Sequence, residues 1–395
     1  MSNQRDNQEE KTTGSDDISR KSVPDSERGH SILGKRTLPS SLKDLSGICF
    51  VGPMIGRNPG LVTTQGEVMS DLFAREVNSV ISVSSNPNRY MRLFDIAWTL
   101  FDRRKEIEIQ CLSVYGGPSF VVEDIASRLG RMLGQRIVMQ LHGGALPHFM
   151  SRFPDWTRRV LSRADIIVAP SDYLAKAVGA HGFHVTVIPN VIDLEGYPFR
   201  LRQKVSPRLF WMRSFHPIYN PLMCLRVLAR LRAVYPDAQL VMTGQEKGSL
   251  NEVRREGERL GLTKALSLPG FVDMAGKVRY GAETDIFINT SHIDNMPVAL
   301  IEACAMGMPV VTTNVGGIPH MLRHEETCLM VEDNDDEAMA AAIVRLVSEP
   351  GLAARLSANG RSRAEEFSWG KIRLLWEAVF SELKCMNSFE RRGRH

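Results

Sequence analysis

The segment 291–319, SHIDNMPVALIEACAMGMPVVTTNVGGIP, restricts the fold of this chain more than any other. It reads as a polar loop, a short helix, a tight stop, a buried strand and a second glycine loop. Asn295 is a suitable N-cap, and Pro297 suits a first helical turn. Gly307 supplies a C′ stop before Pro309 and a strand over 310–313. Two acids mark the segment: Asp294 ahead of the helix, and Glu302 within it, eight positions on. The free amides around Met296, Val298 and Ala299 are expected to form an anion site reinforced by the helix dipole. From Pro297 to Glu302 the helix rises roughly 7–8 Å, at about 1.5 Å per residue. That is close to the span from a bound diphosphate to the ribose of the same nucleotide. A carboxylate there can accept hydrogen bonds from two neighbouring hydroxyls, as an acid does in dinucleotide folds. The segment thus has the parts to hold a sugar nucleotide along its length.

The rest of the chain alternates short apolar runs with amphipathic ones. Strands are expected near 48–51, 80–83, 107–114, 137–141, 166–169 and 185–189, ending in a crossing segment, Pro189-Asn190-Val191. Further strands are expected at 209–212, 239–243, 265–268 and 285–289. Helices are expected over 62–77, 91–101, 149–163 and 221–234, among others, with polar, Ala-rich helices after Val331. This alternation predicts parallel sheets covered on both faces, in two doubly wound domains. Ligands of such sheets bind outside the carboxyl ends of the strands, where the glycine loops of this chain fall.

At 395 residues the chain is long enough for two cores of ordinary size. The expected division is a tail at 1–44, a domain at 45–200, a domain at 201–370, a C-terminal helix at 371–388 that can cross back to the first domain, and a tail at 389–395. The first tail is rich in Ser, Asp, Glu, Lys and Gln and has no packable face, so disorder is expected there. A net charge of +4 gives no signal for nucleic acid, and basic and aromatic residues do not interleave as in single-strand binders. No apolar run approaches the roughly 20 residues that cross a bilayer, and the N-terminus lacks a signal peptide's apolar core. The six cysteines show neither paired nor metal-ligand spacing and read as buried thiols in a reducing cytoplasm. Neither a metal nor a cofactor is expected. In 149–163, Phe149, Phe153 and Trp156 alternate with Arg152, Arg158, Arg159 and Arg163. A helix of that kind suits peripheral contact with an anionic inner membrane surface.

The run Asp294, Met296, Pro297, Leu300-Ile301-Glu302-Ala303-Cys304-Ala305, Gly307, Pro309-Val310-Val311, Gly316-Gly317 resembles the acid, seven residues, acid signature of retaining GT-B glycosyltransferases, family 4 above all. The resemblance spans roughly 46–383, densely in the second half and loosely in the first. It implies two Rossmann-like domains facing a cleft, with a nucleotide diphosphate sugar as donor. Arg213 matches the Arg that such enzymes place on the donor diphosphate, which a guanidinium can bind bidentately. Asp294 would read a hydroxyl of the sugar, and Glu302 the ribose. Asn295, Met296, Pro297 and Val298 would line the phosphates. Gly244 resembles the turn beside the nucleotide, and Phe271 and Val272 the segment against the base. Gly56 and Gly60 resemble the loop that approaches the phosphates from the first domain. His142, before Gly143-Gly144, matches a His aimed at the transferred sugar, and Tyr115 with Gly116-Gly117 lies on the acceptor side. One departure stands out: where the family adds a Lys after the Arg, this chain has Asn220, with His216 and Lys247 as the nearby replacements.

The expected function is transfer of a hexose-type sugar, with retention, to an acceptor hydroxyl on a glycan, a lipid-linked carrier or a small molecule. The alternatives are a same-fold sugar-nucleotide epimerase or phosphorylase, and a binding protein that has lost turnover. Neither a G-x-S-x-G elbow nor an assignable paired-carboxylate pattern competes with this reading.

Overall fold

The structure, a computed structural model, describes residues 47–392, with side chains as far as Met386. The tail expected over 1–44 and the last residues of the tail expected at 389–395 lie outside the described residues. Strands β1 (Ile48–Val51), β2 (Val80–Val83), β3 (Ile109–Val114), β4 (Arg136–Leu141), β5 (Ile166–Ala169) and β6 (Thr186–Val187) form one sheet, ordered β2-β1-β3-β4-β5-β6. Between them run α1 (Gln65–Ala74), α2 (Arg89–Asp102), α3 (Phe120–Met132), α4 (Leu146–Arg152), α5 (Pro154–Leu161) and α6 (Asp172–Gly179). The second sheet holds β7 (Arg208–Met212), β8 (Gln239–Thr243), β9 (Leu266–Gly270), β10 (Ile286–Asn289), β11 (Val310–Thr313) and β12 (Leu329–Val331), ordered β12-β11-β10-β7-β8-β9. Its helices are α7 (Pro221–Val234), α8 (Leu250–Arg259), α9 (Met274–Glu283), α10 (Val298–Ala305), α11 (Ile318–Met321), α12 (Asp336–Ser348) and α13 (Leu352–Glu365), followed by α14 (Trp369–Arg392). Every strand pairing is parallel.

Both sheets are apolar on both faces, because each strand sends alternate side chains to opposite sides. On β7, Leu209 and Trp211 enter one core, while Phe210 and Met212 enter the other. On β1, Ile48 and Phe50 face the core that α14 completes, and Cys49 and Val51 face the opposite one. Helix α14 leaves the second domain and packs Ile372, Trp376, Val379, Phe380 and Leu383 into that first-domain core. Its entry is fixed by Glu76, which accepts from Trp369 Nε1 at 2.7 Å and from Arg373 at 2.9 Å. The helix extends beyond the 371–388 read from sequence at both ends.

Several boundaries differ from the sequence reading, three of them helix boundaries with an identifiable local cause. Helix α1 starts at Gln65, because Thr64 closes a capping box with Glu67. Helix α2 starts at Arg89, capped by Asn88. The helix expected over 149–163 is two helices, broken at Phe153, whose φ of −132° and ψ of 60° are non-helical. Pro154 disfavours the helical region for the residue before it. The break turns Phe149 and Trp156 against Phe120, with ring centroids 5.0 Å away in each case. Arg163 pairs with Asp124 at 2.6 Å, and Arg152 stacks over Phe153. Phe149 and Trp156 are thus engaged in packing, while Arg152, Phe153, Arg158 and Arg159 of the expected membrane-facing helix remain exposed.

Candidate active site

In each sheet the chain reverses its direction of growth once, and at that point two adjacent loops diverge to form a crevice. In the second sheet the switch lies between β7 and β10, which pair directly. Arg213 follows β7, and the loop carrying Asp294 follows β10. Topology therefore brings together two residues 81 positions apart: an Arg213 Nη donates to Asp294 Oδ2 in a close ion pair. The guanidinium also lies over the Tyr219 ring, 4.1 Å from its centroid. Arg213 Nε is buried and has no partner among the described residues. Burial pushes the Asp294 carboxyl above the ordinary carboxylate value, although Arg213 and the Asn295 amide (2.9 Å) oppose the shift. One edge of the guanidinium is thus held by the protein, while a buried donor is left over.

The glycines around this pair are required by close contact. A Cβ on Gly244 would lie 1.8 Å from the Arg213 carbonyl oxygen. A Cβ on Gly316, whose φ is +55°, would lie 2.0 Å from the Asp294 carbonyl oxygen. From the first domain, Gly144 approaches the same loop, with Asp294 and Ile293 atoms 3.1–3.2 Å from its would-be Cβ. The loop is tied across the cleft at two further points. Ser171 Oγ donates to Asn295 Oδ1, and Asn190 Nδ2 donates to the Met296 carbonyl at 2.9 Å. The helix start moves accordingly. Asn295 is drawn away to Ser171, so Pro297 is the N-cap of α10 and makes no side-chain cap. Val298 and Ala299 open the helix, and their amides have no intrahelical acceptor.

Glu302 lies within α10, buried, and its Oε1 accepts from Tyr197 Oη and Lys277 Nζ, both at 2.6 Å. Burial and the Glu302 charge push the Tyr197 phenol well above its usual range. Oε2 of Glu302 has no protein partner among the described residues. On the first-domain side, His142 follows β4 and stacks on Tyr115, with centroids 4.9 Å apart and planes at 20°. Its Nε2 is buried with no partner among the described residues, and burial lowers its pKa to about 4. Glu123, in the first turn of α3, accepts from the Tyr115 amide at 3.0 Å, and burial raises its pKa to about 8.

The first-domain glycine loop is held from below. Glu67 accepts from the Arg57 and Thr64 amides at 3.3 and 2.7 Å. A Cβ on Gly56 would meet Thr63 Cα at 2.3 Å. The Gly60 carbonyl accepts from Gln245 Nε2, which closes a contact between this loop and the one after β8. Phe271 and Val272 follow β9, half-buried, and make no hydrogen bond or ring contact with Arg213 or Asp294 among the described residues. Asn220 adopts a left-handed conformation (φ +46°), and its Nδ2 donates to Asn334 at 3.1 Å. His216 Nδ1 accepts from the Ile218 amide at 3.1 Å, and the Lys247 side chain is exposed with no partner among the described residues. Among the described residues no group of three His, Cys, Asp or Glu is placed to hold a metal ion.

Two family models match. Glycosyl transferases group 1 covers residues 201–363, and Glycosyltransferase Family 4 covers residues 67–196. The chain belongs to these GT-B glycosyltransferases. It is similar to a D-inositol 3-phosphate glycosyltransferase of Rhodococcus jostii, 29% identical over 54% of this chain and 51% of the relative. It is also similar to a glycogen synthase of Mycobacterium tuberculosis, 24% identical over 61% of this chain and 59% of the relative. The chain thus spans just over half the length of these curated relatives. Among solved structures, sucrose-phosphate synthase from Thermosynechococcus elongatus superposes with a TM-score of 0.70 at 16% identity, covering 87% of this chain and all of that one. Anabaena HepE in complex with UDP and glucose superposes with a TM-score of 0.68 at 16% identity, covering 86% of this chain and all of that one. At these identities the likeness is one of GT-B fold.

Within the family framework, sequence reasoning missed Tyr197, Lys277, Tyr219, Ser171 and Glu123. Tyr197 and Lys277 stand 105 and 25 positions from Glu302, so no local pattern announces them. Glu123 carried a weak signal, an acid in a first helical turn, which ordinarily reads as an exposed partner of the helix dipole.

Proposed function

We propose that the protein is a retaining hexosyltransferase, taking a sugar from a nucleoside diphosphate sugar and passing it to an acceptor hydroxyl. The carrying observation is Arg213, whose Nε is buried and unpartnered at the switch point, beside Asp294. A buried donor without a partner is costly unless a ligand completes it. A diphosphate would do so through charge-assisted bonds on the free edge, supported by the open amides of α10. Asp294 would then orient a sugar hydroxyl, and Oε2 of Glu302 would accept from the ribose. His142, neutral at pH 7, would present Nε2 to the transferred sugar.

In the proposed step the bond from the anomeric carbon to the diphosphate oxygen breaks. The bond to the acceptor oxygen forms on the same face, and the acceptor proton passes to the departing phosphate. The site needs no base for this. It supplies position and a preorganised positive field. Buried free thiols at Cys49, Cys111, Cys224, Cys304 and Cys328 fit a reducing compartment, so the proposed location is cytoplasmic. A second reading, a nucleotide-sugar-binding protein without turnover, is favoured by Asn220, which stands in the place of a clamp Lys and is engaged by Asn334.

Thermal shifts with nucleoside diphosphates and nucleotide sugars test the donor, with UDP-glucose first. A ligand at 100 times its dissociation constant stabilises by about 2.7 kcal/mol. Release of nucleoside diphosphate, with and without sugar acceptors, separates turnover from binding alone. If no nucleotide or nucleotide sugar shifts the melt, the reading fails.

A further inference from the structure

Glu302 receives two donors on the same oxygen, and they come from separate parts of the chain. Tyr197 belongs to the segment that joins the two sheets, directly after a single 3₁₀ turn over Leu194–Gly196. That segment is itself pinned. Asp193 accepts from Arg75 at 3.0 Å, and the Ile192 amide donates to the Phe367 carbonyl at 2.9 Å. Lys277 lies in the first turn of α9, whose N-cap Asp273 accepts from the Gly276 amide at 2.9 Å. This turn sits tightly on the residues expected against the base: a Cβ on Gly276 would lie 2.8 Å from Val272 Cβ. The same turn meets the joining segment, with Met274 Cε 3.2 Å from a would-be Cβ on Gly196. Both donors reach Glu302 Oε1 at 2.6 Å. A carboxylate oxygen has about two lone-pair sites, so Oε1 is filled and Oε2 is the oxygen left to accept. Tyr197 stays a donor, because burial and the Glu302 charge keep its phenol protonated. Lys277 supplies the cation required by a carboxylate whose side chain is only 6% exposed.

We propose that Lys277 and Tyr197 are positioning residues that set the selectivity of the donor site for ribonucleotides over deoxyribonucleotides, by fixing Glu302 with Oε2 alone free to accept. The inference rests on the reading of Glu302 as the acceptor for the ribose. A lone carboxylate on a helix can turn about its last bonds and present either oxygen. Two donors on Oε1 remove that freedom, so no ordering is left to do when a ribose arrives. A deoxyribose then leaves the fixed, ionised oxygen short of a donor inside a largely buried site, and such a loss discriminates strongly. The two tethers divide the work. Tyr197 ties the carboxylate to the segment between the domains, and Lys277 ties it to the turn that packs on Val272, so ribose and base are located by one rigid unit.

The test uses the full chain and calorimetry with UDP, ADP and GDP, each beside its 2′-deoxy counterpart. The parent is expected to bind at least one ribonucleotide tenfold or more tighter than the deoxy form. Lys277→Met should reduce that preference to threefold or less, and Tyr197→Phe should at least halve it. Affinity for the deoxy form should stay within threefold of the parent in both, and Lys277→Arg should restore most of the preference. Tyr197→Phe removes one hydroxyl and no charge, so it carries the test where Lys277→Met fails to fold. Glu283→Ala, on an exposed part of α9, should keep the parent's preference. A preference unchanged in both Lys277→Met and Tyr197→Phe, or equal weakening of ribo and deoxy forms, overturns the proposal and leaves the pair a structural tie between α9, α10 and the joining segment. A parent that binds nucleotides without preferring ribose overturns it together with the ribose role of Glu302, while the transferase reading stands. A parent that binds no nucleotide at all strikes the transferase reading, and the proposal falls with it.

Discussion

Replacing Glu123 by Gln should stabilise this protein, and by an amount that depends on pH. Glu123 is 2% exposed, one of its oxygens accepts from the Tyr115 amide, and the other is buried with no partner among the described residues. Burial raises its pKa from an ordinary 4.5 to about 8. The folded state therefore holds a proton that the unfolded chain has released across the window from about 4.5 to about 8. In that window stability falls as pH rises, by up to about 1.4 kcal/mol per unit. At pH 7 the accumulated cost is roughly 3 kcal/mol, and at pH 5 it is below about 1 kcal/mol. Gln keeps the size and the acceptor for Tyr115 but has no proton to lose. Urea unfolding of both proteins at pH 5, 6, 7 and 8 should show an advantage for Glu123→Gln that grows steadily with pH. A difference that stays constant over this range would mean that Glu123 titrates alike in both states, and the assignment of a neutral buried acid would fall.

Three further outcomes are expected. Arg213→Ala should reduce turnover by about 2.7–4 kcal/mol of transition-state stabilisation, with a smaller effect on donor affinity, because the lost contact strengthens as charge develops; wild-type turnover would place the clamp elsewhere. Asp294→Asn should weaken binding of the sugar nucleotide while sparing the free nucleoside diphosphate, and calorimetry showing equal losses would remove Asp294 from the sugar. Glu302→Ala leaves Tyr197 and Lys277 without their acceptor, so it should lower stability by about 2 kcal/mol or more, somewhat below a fully buried pair because Lys277 keeps part of its exposure; added nucleotide should then recover less melting temperature than it does for the parent.

Much of the fold was legible because parallel sheets buried on both faces require continuous apolar strands, and runs such as those at 209–212 and 310–313 have few other uses. What the residues did not disclose was which carboxyl ends would be adjacent. Arg213 and Asp294 each carried a local signal, a strand end and a helix approach, but their contact follows from β10 inserting beside β7. Boundaries were lost where tertiary contacts outbid local chemistry. Asn295 is a good cap by type, yet Ser171 of the other domain claims its side chain. Phe153 sat in a convincing amphipathic run, and only the following proline marked the break. Asn220 was recognised as a departure from sequence alone, but its engagement with Asn334 depends on a contact 114 positions away.

The two walls of the cleft differ in charge, and the difference bears on how a donor would be activated. On the second-domain side stand ion pairs, Arg213 with Asp294 and Lys277 with Glu302. On the first-domain side two buried ionisable groups are shifted toward neutrality, His142 to about 4 and Glu123 to about 8, while buried Glu67 holds the amides of the glycine loop. At pH 7 both are uncharged, so around Tyr115 this wall contributes hydrogen-bonding atoms and stacked rings. Uncharged groups at that part of the cleft would screen the field of Arg213 less than charged ones, which matters most when negative charge grows on a leaving diphosphate. A charged imidazolium at His142 would draw part of that negative charge toward the first domain and favour the bound donor as much as its departure. Keeping His142 neutral by burial, rather than by a basic neighbour, leaves its Nε2 as an uncharged contact for a sugar hydroxyl. If the proposed transfer holds, the burial of His142 and Glu123, which costs stability on the acid side for one and the alkaline side for the other, would confine charge stabilisation to the side where the bond breaks.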